Sequence, residues 1–163
     1  MRSLLKWTKA RKAELLTVTK RKNIKCGISC VFVKLDEFVG VKIYSTRRER
    51  DRSFKAQTIA AKHKIAPLVG DSFELECYMV RHDGFTADVD YRKMYCYLTQ
   101  VARISRAKPN IRTILALEYE LYKVGIIHED LHKGNVGYVS DKLVCIDFDI
   151  VSCQLKRGRK RAI

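Results

Sequence analysis

Apolar positions cluster most tightly in two runs of the first third, CGISCVFVKL from residue 26 and DEFVGVKIY from residue 36. Both are rich in β-branched and aromatic residues, and a short polar break at Asp36–Glu37 separates them, which predicts a β-hairpin. Thr46, with Glu49 three residues later, has the spacing of a capping box. The Ala-rich sequence that follows, up to Pro67, predicts a helix. FELECYMV (73–80) reads as a strand and RHDGF (81–85) as a turn, with a helical segment expected over 88–106. The pattern of 111, 114, 115, 121 and 122 predicts a helix over Ile111–Val124, closed by Gly125 at the C-terminal cap position. Two short β runs, VGYV (136–139) and LVCID (143–147), are joined by the turn Ser140–Asp141–Lys142. Residues 1–20, with Leu4, Leu5, Trp7, Leu15 and Leu16, are expected to form a basic helix.

This order predicts an α+β fold, a sheet-plus-helix part followed by a helical part, the two meeting near residues 81–85. With 47% hydrophobic residues and two prolines in 163, the chain can bury a core and is neither collagenous nor a flexible linker. No stretch approaches the roughly 18 apolar residues of a membrane span. Charge adds a statement about partners rather than fold. There are 33 Lys+Arg against 18 Asp+Glu, a net charge of +15. That balance suits anionic company such as nucleic acid, phosphorylated metabolites or acidic proteins, and equally a well-solvated surface. The densest runs are Lys20–Lys22, Arg47–Arg52 and the tail Lys156–Arg161. The six cysteines include no C-x-x-C pair, and no histidine cluster completes a zinc site around Cys26 and Cys30. Reduced thiols in a cytoplasmic protein are the expectation.

Candidate chemistry concentrates in IIHEDLHKGNVGYVSDKLVCIDFD, residues 126–149. Asp130 and Asn135 lie five apart in a loop between a helix and a hairpin, and Asp147 closes an apolar strand. Such a set suits phosphoryl transfer. One carboxylate accepts a proton from the attacking hydroxyl, while an amide and a second carboxylate hold Mg²⁺ against phosphates.

H-E-D-L-H-K-G-N followed by C-I-D-F-D resembles the catalytic loop and metal-binding strand of the protein-kinase-like superfamily. His132 and Gly134 make it more similar to the atypical and small-molecule branches, including RIO-type kinases and aminoglycoside and choline phosphotransferases. The resemblance implies a single kinase-like domain over 1–163 with an antiparallel-sheet N-lobe (20–82) and a reduced, mainly helical C-lobe (83–163). It also implies ATP and Mg²⁺ as cofactors. Asp130 would be the catalytic base, Asn135 and Asp147 the Mg²⁺ ligands, and Lys42 in GVKIY the phosphate anchor. Gly27 would sit in the phosphate-covering loop, Met79–Arg81 would form the hinge that meets adenine, and His128 would brace the loop. The acceptor would be a hydroxyl, on a protein Ser/Thr or a small molecule; the charge would suit an acidic protein, and basic patches would allow nucleic acid.

Four features depart from the family pattern. The glycine loop has one glycine, and Asp149 replaces the glycine of D-F-G. No acidic residue lies between Asp51 and Asp71, so the helix glutamate that pairs with the strand lysine is missing; Gln57 occupies a plausible site for it, and Glu49 could also reach Lys42. The residues after Asp147 are too few for an activation segment. These departures leave open an alternative, a pseudokinase-like module that docks a partner without catalysis.

Overall fold

A computed structural model describes residues 5–17, 23–27, 29–82, 87–105 and 109–153. The basic runs at 20–22 and 156–161 and residues 83–85 of the expected turn lie outside the described residues, while Arg81 and His82, expected in that turn, are the end of a strand. The fold is α+β. Among the described residues, three helices accompany a five-stranded antiparallel sheet and two small two-stranded sheets.

The large sheet contains β1 (Ile24–Cys26), β2 (Cys30–Lys34), β3 (Val39–Tyr44), β4 (Val69–His82) and β5 (Ala87–Gln100), in the order β1-β2-β3-β5-β4. The expected hairpin is β2–β3, pairing Cys30 with Tyr44 and Lys34 with Gly40. Asp36 closes its turn by accepting from the Phe38 and Val39 amides, both at 2.7 Å. Strand β3 is covered on both faces, as its near-complete burial shows. Val39, Val41, Cys96 and Leu98 point to a core roofed by Leu5, Trp7 and Leu15 from the N-terminal segment, which includes α1 (Lys9–Thr17). Trp7 stacks on Phe73 with ring centroids 3.5 Å apart. The alternate residues, Lys42, Tyr44, Tyr97 and Thr99, point the other way.

Against that second face packs α2 (Arg47–Lys62). Thr46 is its N-cap, accepting from Glu49 N at 3.2 Å. It turns Arg50, Ser53, Gln57, Ala60 and Ala61 inward, at the three- and four-residue spacing of one helix face. Its alanines join Leu117 and Leu121 of α3 (Ile111–Lys123), Ile126, Phe148 and Val151 in the second core. Asn110 caps α3 at one end. At the other, Gly125 takes the left-handed φ of 83° that terminates the helix. Strands β6 (Ile126–His128) and β9 (Val151–Cys153) pair, as do β7 (Val136–Val139) and β8 (Lys142–Cys145). Ser140 has a φ of 47° and Asp141 a φ of 62°. Two successive left-handed residues make the tight turn between β7 and β8.

Residues 88–106 depart from the expected helix: 87–100 are β5, paired with both β3 and β4. Met94, Cys96 and Leu98 alternate with Tyr95, Tyr97 and Thr99. Both sets are covered, so the strand carries little of the polar alternation that marks a half-buried one. The division at 82/83 is corrected with it. The large sheet takes strands from both sides of that point, and the chain leaves it after Gln100. The second half is therefore not mainly helical; its described residues hold one helix beside five strands.

Candidate functional site

The loop after α3 is organised by His128, which is buried at the end of β6. Its Nε2 lies 2.7 Å from the Asp147 carbonyl, and its Nδ1 accepts from the Asp130 amide at 3.3 Å. A carbonyl can only accept and an amide N–H only donate, so the ring is the neutral tautomer with its proton on Nε2. One side chain thus ties the strand end at Asp147 to the loop at Asp130.

Asn135 makes the second tie. Its Nδ2 donates to the Asp130 carbonyl at 2.8 Å and approaches Asp130 Oδ2 at 3.4 Å. That fixes the amide orientation and leaves Oδ1 as the free acceptor. The Ile146 amide donates to the Asn135 carbonyl at 2.9 Å, joining the loop to the strand that ends at Asp147. His132 Nδ1 accepts from the Gly134 amide at 2.9 Å, and a Cβ at Gly134 would come within 2.7 Å of that ring. A side chain there would displace the half-exposed His132 ring.

Two cavities share lining residues here. One, of about 270 Å³, is lined by Gly27, Phe32, Lys42, Gln100, Asn135 and Asp147 among others. The other, of about 190 Å³, is lined by Gly27, His128, Asp130, Asn135, Asp147 and Asp149 among others. Of the residues singled out from sequence, Gly27, Asn135 and Asp147 line both cavities, Lys42 lines the first and Asp130 the second. Gly27 lies in the β1–β2 turn, closed by its N–H donating to the Cys30 carbonyl at 2.8 Å.

Met79 and Arg81 do not join them. Their backbones lie in β4, paired with Asp90 and Asp88, while the cavity wall is made by Thr99, Gln100, Ala102 and Ile104. Nine residues of β5 separate the two places, roughly 30 Å at strand rise. The connection between sheet and helical region is the segment after Gln100, not residues 79–81. This follows from β5: once 87–100 is a strand, the linker is displaced to its far end.

Lys42 is buried, with no hydrogen-bond or ion-pair partner for its Nζ among the described residues. Burial disfavours its charge, but Tyr97, Asp147, Cys30 and Asp149 more than offset this, holding its pKa above the ordinary lysine value. Gln57 does not reach it. That amide donates to Thr99 Oγ1 at 2.7 Å and to the Pro67 carbonyl at 3.2 Å. Glu49 stays with Thr46 at the start of α2.

Asp149 is buried and carries more than its sequence position suggested. Tyr44 Oη lies 2.9 Å from its Oδ1 and 2.8 Å from Ser53 Oγ, while Arg52 donates to its carbonyl at 2.6 Å. Burial and the neighbouring Asp147 raise the Asp149 pKa, with Lys42 and Tyr44 opposing. The Cys30 thiol is pushed up to about 12, chiefly by burial, and stays protonated. Nothing in the spacing of Tyr44, Ser53, Tyr97 or Asp149 signals these contacts; β3, α2, β5 and the segment after β8 each bring one of the four to the same place.

Among the described residues no three His, Cys, Asp or Glu side chains stand close enough to hold a metal by themselves. Mg²⁺ does not need such a cage, since it uses one or two carboxylates with phosphate oxygens and water. The free Oδ1 of Asn135 and the carboxylate of Asp147 fit that requirement. Among the described residues no helix is long and apolar enough to cross a membrane. Neither models of known protein families nor curated proteins give a match to the chain.

Proposed function

We propose that this chain is an ATP- and Mg²⁺-dependent phosphotransferase of reduced, bilobal kinase-like architecture, moving the γ-phosphoryl of ATP to a hydroxyl acceptor. The observation that carries the proposal is the buried ammonium of Lys42, unpartnered among the described residues, in a residue that lines one cavity with Asn135 and Asp147, while Asp130 lines a second cavity with the same two. A buried cation without a partner is costly unless an anion completes it. Phosphate oxygens are such an anion. Asn135 and Asp147 would hold Mg²⁺, which supplies charge neutralisation on the phosphates when bound. The Asp130 carboxylate, half exposed at the mouth, is accessible to an acceptor hydroxyl and would take its proton. Gly27 would let the β1–β2 turn approach the phosphates, and the segment 100–104 would take the hinge role expected of Met79–Arg81. The basic surface would favour an acidic protein or other anionic acceptor.

Calorimetry with Mg·ATP on wild type and Asp147→Ala tests this without knowledge of the acceptor. Magnesium-dependent binding that the variant loses supports the reading. Absence of binding at millimolar ATP would sink it. The lack of a carboxylate partner for Lys42 favours one competing reading, a nucleotide-binding docking module without catalysis. Asp130→Ala separates them, because only an enzyme would lose turnover while retaining nucleotide affinity.

A further inference from the structure

What does lie against the Lys42 ammonium is an aromatic ring. Nζ is 6.0 Å from the Tyr97 centroid, at the outer reach of a cation–π contact. Tyr97 is the register partner of Lys42 across β3 and β5, so both side chains stand on the same sheet face. The ring is fully buried and held from several sides. Its Oη donates to Gln57 Oε1 at 2.9 Å and lies 3.0 Å from Ser53 Oγ. Phe54 packs edge-on at 5.3 Å, and Tyr44 stacks at 6.0 Å. Gln57, Ser53 and Phe54 all belong to α2. The inward residues of α2 include no carboxylate, yet the helix still controls what the ammonium meets.

We propose that Tyr97 is the positioning residue for Lys42, with α2 packing Phe54 against the ring and the ring face setting where the ammonium sits. The proposal takes its ligand from the phosphotransferase reading but its geometry from the fold alone. It changes what the site selects. A carboxylate partner would occupy N–H donors and neutralise part of the charge, whereas a ring leaves all three donors and the whole charge for the ligand. Affinity should therefore depend steeply on the phosphates and little on the nucleoside.

The test compares Tyr97→Phe and Tyr97→Leu by calorimetry with Mg·ATP and with adenosine. Tyr97→Phe keeps the ring and should bind Mg·ATP within about twofold of wild type. Tyr97→Leu should bind it about tenfold more weakly, because nothing then holds the ammonium where the phosphates meet it, with adenosine affinity unchanged. Unchanged Mg·ATP affinity in Tyr97→Leu overturns the proposal, and so does a parallel loss for adenosine, which a merely structural role would produce. If the leucine variant does not fold, phenylalanines of increasing fluorination at position 97 decide. Affinity falling with each fluorine supports the proposal, and a flat series overturns it. If wild type binds no nucleotide, the phosphotransferase reading fails separately. The positioning claim is then settled by NMR: an Overhauser contact between the Lys42 ε-protons and the Tyr97 ring supports it, and its absence overturns it.

Discussion

Replacing His128 with alanine removes the side chain that joins Asp130 to Asp147, and the structure sets the size of the loss. The bond from Nε2 to the Asp147 carbonyl is short, 2.7 Å, and made by a residue only 4% exposed. Without the ring, the half-buried Asp147 carbonyl keeps, among the described residues, only the weak Cys145 thiol donor, at 3.0 Å, and the lost bond costs about 1–3 kcal/mol. The Asp130 amide is different: its bond is long, 3.3 Å, and its residue is exposed, so water can replace the ring. That bond adds little. The imidazole also leaves a void beside Phe148, whose ring centroid is 6.2 Å away. The lost contact there is worth about 1 kcal/mol. Together these predict a destabilisation of about 2–4 kcal/mol.

The assay is equilibrium urea unfolding followed by circular dichroism, with the slope checked so that a shifted midpoint reports stability alone. His128→Gln is the informative control. Its amide can still donate to the Asp147 carbonyl, so it should lose clearly less than alanine does. A midpoint for His128→Ala within about 0.5 kcal/mol of wild type would refute the reasoning, because surface substitutions stay in that range. So would a glutamine variant as unstable as the alanine one, which would mean that ring packing rather than the hydrogen bond is what matters.

Leu121 is fully buried where α3 meets the α2 alanines and Phe148. Cutting it to alanine should cost about 2–5 kcal/mol, read by the same unfolding curve. Asp149→Asn should instead stabilise the protein at neutral pH. The folded Asp149 pKa is raised, so its ionised form lowers stability above that pKa, and the penalty fades as pH falls towards the unfolded value. The gap between variant and wild type in thermal melts should therefore narrow with acidification, and a gap independent of pH would contradict the assignment.

The parts of the fold that sequence makes legible are those with a local chemical signal. Thr46 and Glu49 mark the start of α2, Gly125 marks the end of α3, and Ser140–Lys142 mark the last hairpin turn. Each encodes a backbone conformation or a cap within a few residues. The catalytic-type loop is legible for a similar reason: His128, Asp130 and Asn135 are tied within one turn of chain, so their spacing is nearly their geometry. Strand β5 has no such signal. Its two faces are buried against different layers, so tyrosines stand where a half-buried strand would show polar residues, and a helix becomes the natural expectation. Taking that strand for a helix moves the hinge to Met79–Arg81 and hides Tyr97 at once.

The two departures near Lys42, taken singly, each argue against a working site. Together they form one arrangement. The inward face of α2 lacks the acidic residue that would pair with the lysine, and an acidic residue stands at position 149 where a glycine was expected. Asp149 is returned to the lysine's surroundings by β3, since Tyr44 reaches both it and Ser53 of α2. It is among the groups that hold the Lys42 ammonium charged, with Asp147. In the proposed site the negative charge stands at the strand end rather than on the helix, and the hydroxyls of Tyr44 and Ser53 link the two. In the proposed reading, such a site keeps Lys42 cationic while leaving its N–H groups unspent for phosphate oxygens. The same network makes α2 sensitive to what happens at Asp149, because Arg52 and Ser53 both connect to it directly or through Tyr44.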